Sequence, residues 1–334
     1  MRVNRMQTSY IYSASRVQTL ADNLLGPADV ERLLAATTQA EQIYALKESY
    51  LAPYLLSDDI DSIMMALEAQ LQEVRQVVMQ IAPHPQALAV LWLKYDFHNL
   101  RVFMRGKIQS RSYADTVGLF SPQSHYPADD FYEHALANTL YRLEPELHEA
   151  YHTAYRFLES GDVARADQVV DAAYFACLQR VAVASQDPFI RRHVAARVDL
   201  FNLRGRLRTL AYDHFDFDRV FVPGGTIAKD ALKTAEQATS AFALLGGEPF
   251  WRAALEEQQE AGHSTRIDVR ADDYLLQQAV EASHDMFSVA SLVAYVMRAR
   301  YAAATVRSIL VGTSSGVPTA TIRHNLHAVY GPSR

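Results

Sequence analysis

With a single cysteine, Cys177, in 334 residues, the chain can form no internal disulfide. The expected setting is therefore reducing and cytoplasmic, and packing and polar contacts must hold the fold. Cys177 lies in the alanine-rich stretch 172–184, where a thiol behaves as a small core residue rather than a nucleophile. Lysine is scarce, 5 residues against 27 arginines, which favours forked, partly buried ion pairs over loose surface charge. The net charge of −6 gives no basis for nucleic-acid binding. Long apolar runs are also missing. The best, Met286 to Met297, is interrupted by Ser288 and Ser291 and is well short of the roughly 20 residues that span a bilayer. The opening Met1 to Gln7 has no apolar core of the kind a signal peptide needs. Gly224-Gly225 and Gly246-Gly247 do not follow the phosphate-loop pattern, and neither His-Glu-x-x-His nor Cys-x-x-Cys occurs. No cofactor or metal is expected.

What the chain does contain is a long internal repeat. Asp96-Phe-His-Asn99-Leu-Arg101 returns 103 positions later as Asp199-Leu-Phe-Asn202-Leu-Arg204. A further 103 positions on, Ala302-Ala-Ala-Thr305-Val-Arg307 keeps the register but only the arginine of the polar set. In all three copies one helical stripe is apolar: Leu93, Phe97, Leu100, Met104; then Ala196, Leu200, Leu203, Leu207; then Ala299, Ala303, Val306, Leu310. On the helical wheel Asp96 and Arg101 fall on opposite edges of the stripe and Asn99 further out. This predicts bracing residues that bond to neighbouring helices. His98 is replaced by Phe201 and Ala304 and belongs to no shared chemistry.

Helical signals continue on both sides. Tyr10 to Leu25 reads as a helix stopped by Gly26-Pro27, Asp29 as the cap of a second helix, and Thr38 to about Leu51 as a third. Ser57-Asp58-Asp59 predicts the start of a long helix from Ile60 to Gln80. Helices beginning near Ala166 and Ala271 are its counterparts in the other two units. After each signature helix comes a linker containing Pro127, Pro223 or Pro318, three prolines at nearly equal spacing that read as equivalent helix openers. Residues 218–222 are the one plausible extended piece. The expectation is an all-α protein of three similar helical bundles in series, with boundaries at 1–112, 113–215 and 216–334.

Other chemical readings are weak. His84 between two prolines reads as a turn residue, since it has no partner at ligand spacing. The acidic linker Asp213-His214-Phe-Asp216-Phe-Asp218 lacks the spacing of a calcium loop and reads as a solvated hinge. His284-Asp285 is the doublet of helical metal phosphohydrolases, with His193, His214 and Asp213 as further ligands; it gives an alternative function. A generic helical scaffold is another.

The opening Tyr10-x-Tyr12-x-x-x-Arg16, the two Asp-x-x-Asn-Leu-Arg copies, Pro223-Gly224-Gly225 and Gly316-Val-Pro318 together carry a family likeness from about residue 10 to 330. The chain resembles the C subunit of the prokaryotic V-type (A-type) ATPases and ATP synthases, a family related to the vacuolar ATPase d subunit. The resemblance implies a funnel with a pseudo-threefold axis and a non-catalytic place on the rotor. It also implies a single copy per complex, peripheral on the cytoplasmic face, joining the central shaft to the membrane proteolipid ring and passing torque for ion transport. Asp96, Asn99, Arg101, Asp199, Asn202, Arg204 and Arg307 are expected to brace the structure. Arg105 and Arg208, one turn further along, are expected to reach a partner. The third copy departs from the family pattern at Ala302 and Thr305, so its packing should be looser or rely on different pairs.

Overall fold

Apolar residues three and four apart fill most of the chain, and in the computed structural model, which describes residues 10–211, 216–261 and 265–330, they lie on helices. Among these residues there is no strand, and the fold is all-α. The chain divides into two compact units: residues 1–83 with 238–334, and residues 84–237.

The first unit begins with α1 (Ile11–Ala21), α2 (Pro27–Ala35), α3 (Gln39–Lys47) and α4 (Ile60–Ile81). Asp59 caps α4 by accepting the Ser62 N–H at 2.7 Å, where residue order places the cap. Asp29 differs from expectation. Pro27 already opens α2, and Asp29 sits in the first turn, its carboxylate accepting the Gly26 N–H at 3.0 Å. Gly26-Pro27 is thus a helix start, and α1 ends at Ala21.

The second unit enters through a 3-10 segment, Pro85–Leu91, and continues with α5 (Leu93–Ile108), α6 (Tyr113–Val117), α7 (Ala128–Leu136), α8 (Pro145–Glu159), α9 (Val163–Ser185), α10 (Pro188–Ala211), α11 (Phe217–Val220) and α12 (Lys229–Thr234). Leu93, Phe97, Leu100 and Met104 of α5 are buried, as their spacing predicts. Each such side chain contributes ~1.5–3 kcal/mol of burial free energy. Residues 218–222 are not the extended piece expected. Asp216 accepts the Asp218 N–H at 2.9 Å and so caps α11, turning the start of that stretch helical.

The first unit resumes with α13 (Ala238–Ala243), α14 (Glu248–Ala261), α15 (Thr265–Ala282), α16 (Ala290–Ser314) and α17 (Thr319–His324). The counterparts of α4 start earlier than their sequence signals suggest: α9 at Val163, capped by Asp162, and α15 at Thr265. Helix α16 packs against α1, α4 and α15, and it is apolar nearly all round, as a central helix must be. Ala299, Ala302 and Ala303 are buried in it, small enough for neighbouring backbones to approach closely. The third signature helix is therefore not the loosely packed one. No helix among the described residues is long and apolar enough to cross a membrane.

Candidate functional site

The aspartates and asparagines of the repeated signature are fully enclosed. Asp96 and Asn99 on α5 and Asp199 and Asn202 on α10 are all buried. Asn99 is thus not on the outer side of its helix as the wheel places it. The chain leaving the helix folds back over that side and covers it. The Asp96 carboxylate accepts the N–H groups of His125 at 3.0 Å and Tyr126 at 3.1 Å, and Asn99 Oδ1 accepts the N–H of Ser121 at 2.8 Å. The second copy repeats this geometry. Asp199 accepts from Thr226 N at 2.9 Å, Thr226 Oγ1 at 2.6 Å and Ile227 N at 3.0 Å. Asn202 bonds Val222 both ways, accepting its N–H at 2.8 Å and donating to its carbonyl at 2.7 Å. Each Asp-x-x-Asn pair is a clamp on the backbone of its own linker, where residue order suggests bonds to neighbouring helices. Buried loop N–H groups need acceptors, and an ionised carboxylate is a strong one.

Gly225 lies inside the second clamp, where a Cβ would stand 2.1 Å from Asp199 Oδ1, so only glycine fits. On the other side of the loop, Gln179 of α9 donates to the Pro223 carbonyl at 2.6 Å.

The clamps also redefine which residues correspond. Val222, held by Asn202, matches Ser121, held by Asn99, so Pro223 matches Pro122 and not Pro127. Pro127 and Pro318 do precede helices, as N-caps of α7 and α17, but Pro223 lies within its loop. At Gly106 and Gly312, which stand at one repeat position, an added Cβ would meet Thr116 and Ile322, each at 2.8 Å. This aligns α17 with α6, and Pro318 therefore with Ser112. The three prolines occupy three different places in the repeat.

In the third copy Ala302 and Thr305 supply no clamp, and Thr305 Oγ1, though buried, has no partner among the described residues. The segment after the helix is held instead from α15. Asp273 accepts the Ala328 N–H at 3.2 Å and lies 3.1 Å from His327 Nδ1, while the His327 ring stacks on Tyr301 at 4.0 Å between centroids.

The signature arginines act between helices. Arg101 reaches α9, with Nε 3.1 Å from Asp167 and Nη2 2.6 Å from Asp171. Burial pushes the Asp171 carboxyl up, with Arg101 acting against that shift. Arg307 on α16 reaches Glu68 on α4 at 3.2 Å. Glu68 and Asp171 are 103 positions apart, the repeat distance. One arginine therefore runs from the first copy to the middle helix of the second, and another from the third copy to that of the first. Arg204 is half-buried on α10. Arg105, expected to reach a partner, is paired with Asp167 at 3.2 Å, whereas Arg208 is exposed.

The remaining chemical readings find ordinary structural roles. His284 and Asp285 are exposed in the turn between α15 and α16, where Asp285 accepts the Phe287 N–H at 3.0 Å. His193 is buried on α10 and stacked on Phe189; Asp213 and His214 lie outside the described residues. Asp218 pairs with Lys229 and Lys233. Cys177 is buried near Glu144 and Glu146, and burial pushes its thiol up. Both carboxylates bind the Arg180 guanidinium, which occupies the role a cation would take there. Sequence reasoning misses Asp167, Asp171, Glu68 and Asp273. Their positions on middle helices are visible in residue order, but only the packed structure says which side chains they meet.

The family model described as ATP synthase (C/AC39) subunit matches residues 14–325. The V-type ATP synthase C subunits of two strains of Thermus thermophilus are similar at 25% and 24% identity over 255 residues. Each match covers 72% of this chain and 74% of the relative.

Proposed function

Because the chain belongs to the ATP synthase C/AC39 subunit family, we propose that it is the rotor coupling subunit of a V-type ATPase or ATP synthase, seating the central shaft on the membrane proteolipid ring and passing torque between them. Subunits of this family are non-catalytic, and this one is a subunit of a rotary complex without an active site of its own. One copy per complex, bound peripherally at the cytoplasmic face, completes the proposal.

The family match over 14–325 carries the reading, and the architecture supports it. A torque-bearing part must be stiff, and close-packed helices whose linkers are clamped to them are stiff. Three repeats, cut at 1–112, 113–215 and 216–334, would follow a pseudo-threefold order. The support for that order is the two arginine pairs, which step from one repeat to the next at equivalent positions. Asp96, Asn99, Asp199 and Asn202 fix the linkers, while Arg101 and Arg307 tie repeats together. Arg208, exposed one turn beyond Arg204, is the better contact residue for a partner, since Arg105 already has Asp167.

Purification of the tagged chain from detergent-solubilised membranes tests the proposal. A nucleotide-binding headpiece and a proteolipid ring should come with it. Recovery of the chain with neither, from membranes that contain both, would overturn the assignment. Arg208→Glu should weaken ring or shaft recovery without changing the helical content, and full recovery would remove Arg208 from the contact.

A further inference from the structure

The geometry points to a binding cleft for a small organic anion in the second unit, formed by Lys107 at the end of α5, the turn after α7, and one face of α8. Its volume is about 380 Å³, within the range of small-ligand sites. Lys107, Asn138, Tyr151, His152, Tyr155 and Arg156 line it.

Three features select an anion carrying a flat apolar part. Elsewhere in the chain Arg101, Arg105, Arg180, Arg307 and Arg323 close on carboxylates, and others, such as Arg197 and Arg206, on backbone carbonyls. Lys107 and Arg156 form no ion pair among the described residues, although both line one concavity. Lys107 is held in place by polar and aromatic contacts instead. Its Nζ is 2.6 Å from the Tyr151 hydroxyl and 5.1 Å from the centre of the Tyr155 ring. The hydroxyl contact keeps the ammonium protonated, and Glu159 is a nearby carboxylate that acts on it. Second, the half-buried Tyr155 ring, backed by the buried Tyr151 ring 5.5 Å away, offers an aromatic wall beside which a planar group can lie. Third, burial, His148, Arg156 and Lys107 all disfavour the charged form of His152, whose ring adds a polar edge to the cleft.

The cleft does not belong to the repeat. Lys107 is replaced by Leu210 and Thr313 in the other copies, and Tyr151 by Glu48 and Ala254. The clamps and arginine pairs therefore do not account for it. The ligand chemistry is an aryl or similarly flat phosphate or carboxylate, gripped by Lys107 and Arg156.

Calorimetric titration of the full chain at low ionic strength with phenyl phosphate, benzoate and inorganic phosphate tests this. Phenyl phosphate or benzoate should bind saturably at one site, severalfold tighter than inorganic phosphate, and the tighter of the two identifies the anionic group. Lys107→Met and Arg156→Gln should each weaken binding at least tenfold, while Arg252→Gln, in the other unit, leaves it unchanged. Arg156 is exposed, so its variant keeps the fold if Lys107→Met does not; circular dichroism checks both. Absence of saturable binding by both aryl probes would overturn the proposal, as would binding within twofold of wild type in the folded variants, or inorganic phosphate binding as tightly as the aryl probes.

Discussion

Replacing Asp199 by alanine should free the linker after α10 while leaving the helix itself in place. The carboxylate takes three hydrogen bonds, from Thr226 N, Thr226 Oγ1 and Ile227 N, at 2.6 to 3.0 Å. A hydrogen bond to a charged acceptor contributes ~1.5–3 kcal/mol, and the three share one carboxylate while the freed loop regains entropy and water. A net loss of about 3 kcal/mol follows, equivalent to a fall of roughly two powers of ten in the protection of the held amides. Hydrogen exchange at Thr226 and Ile227 reads this directly. The Val222 amide, bonded to Asn202 at 2.8 Å, serves as the internal reference and should change much less. Gly225→Ala should disturb the same loop, because its methyl would collide with the Asp199 carboxylate. In the double variant that collision is gone, so the combined cost should fall short of the sum. Unchanged exchange at Thr226 and Ile227, or strictly additive costs, would refute the clamp.

Two further outcomes follow from the charges. A double-mutant cycle of Arg101→Ala with Asp171→Ala in urea unfolding should give a coupling of ~1 kcal/mol, because both groups are partly solvated; the more exposed Arg307–Glu68 pair should give less. His193, buried with its folded pKa lowered to about 3, is neutral in the native state and titrates near 6.5 when unfolded. Its contribution is complete above pH 6.5 and declines as pH falls toward 3, by ~1.4 kcal/mol per unit. His193→Phe should flatten that part of the stability–pH curve, and an identical slope in the variant would count against a neutral buried histidine.

Much of the fold is legible in residue order alone. The 103-residue spacing marks the three signature helices, because a buried stripe must recur every three to four residues and leaves a record in one dimension. Asp59 before Ile60 locates the start of α4 for a similar reason: a cap bonds three residues along its own chain. Residue order misleads where a side chain's partner is distant in sequence. The helical wheel turns Asn99 outward because it describes the helix but not the loop that returns over it. Spacing matches the three prolines to one another, although the clamps and the glycine contacts put them at different points of the repeat.

The sequence by itself therefore determined the helical class, the repeat and the shortness of its apolar runs, which periodicity, spacing and composition record, and its motifs carried the family likeness. Only the tertiary structure decided what the signature residues hold: Asp96 and Asp199 their own linkers, Arg101 and Arg307 the middle helix of another repeat, and Asp273 the duty that Ala302 cannot perform. Hydrogen-bond partners are chosen by proximity in space. A carboxylate buried by packing accepts from whichever N–H groups the fold brings within about 3 Å, and residue order does not state which those are.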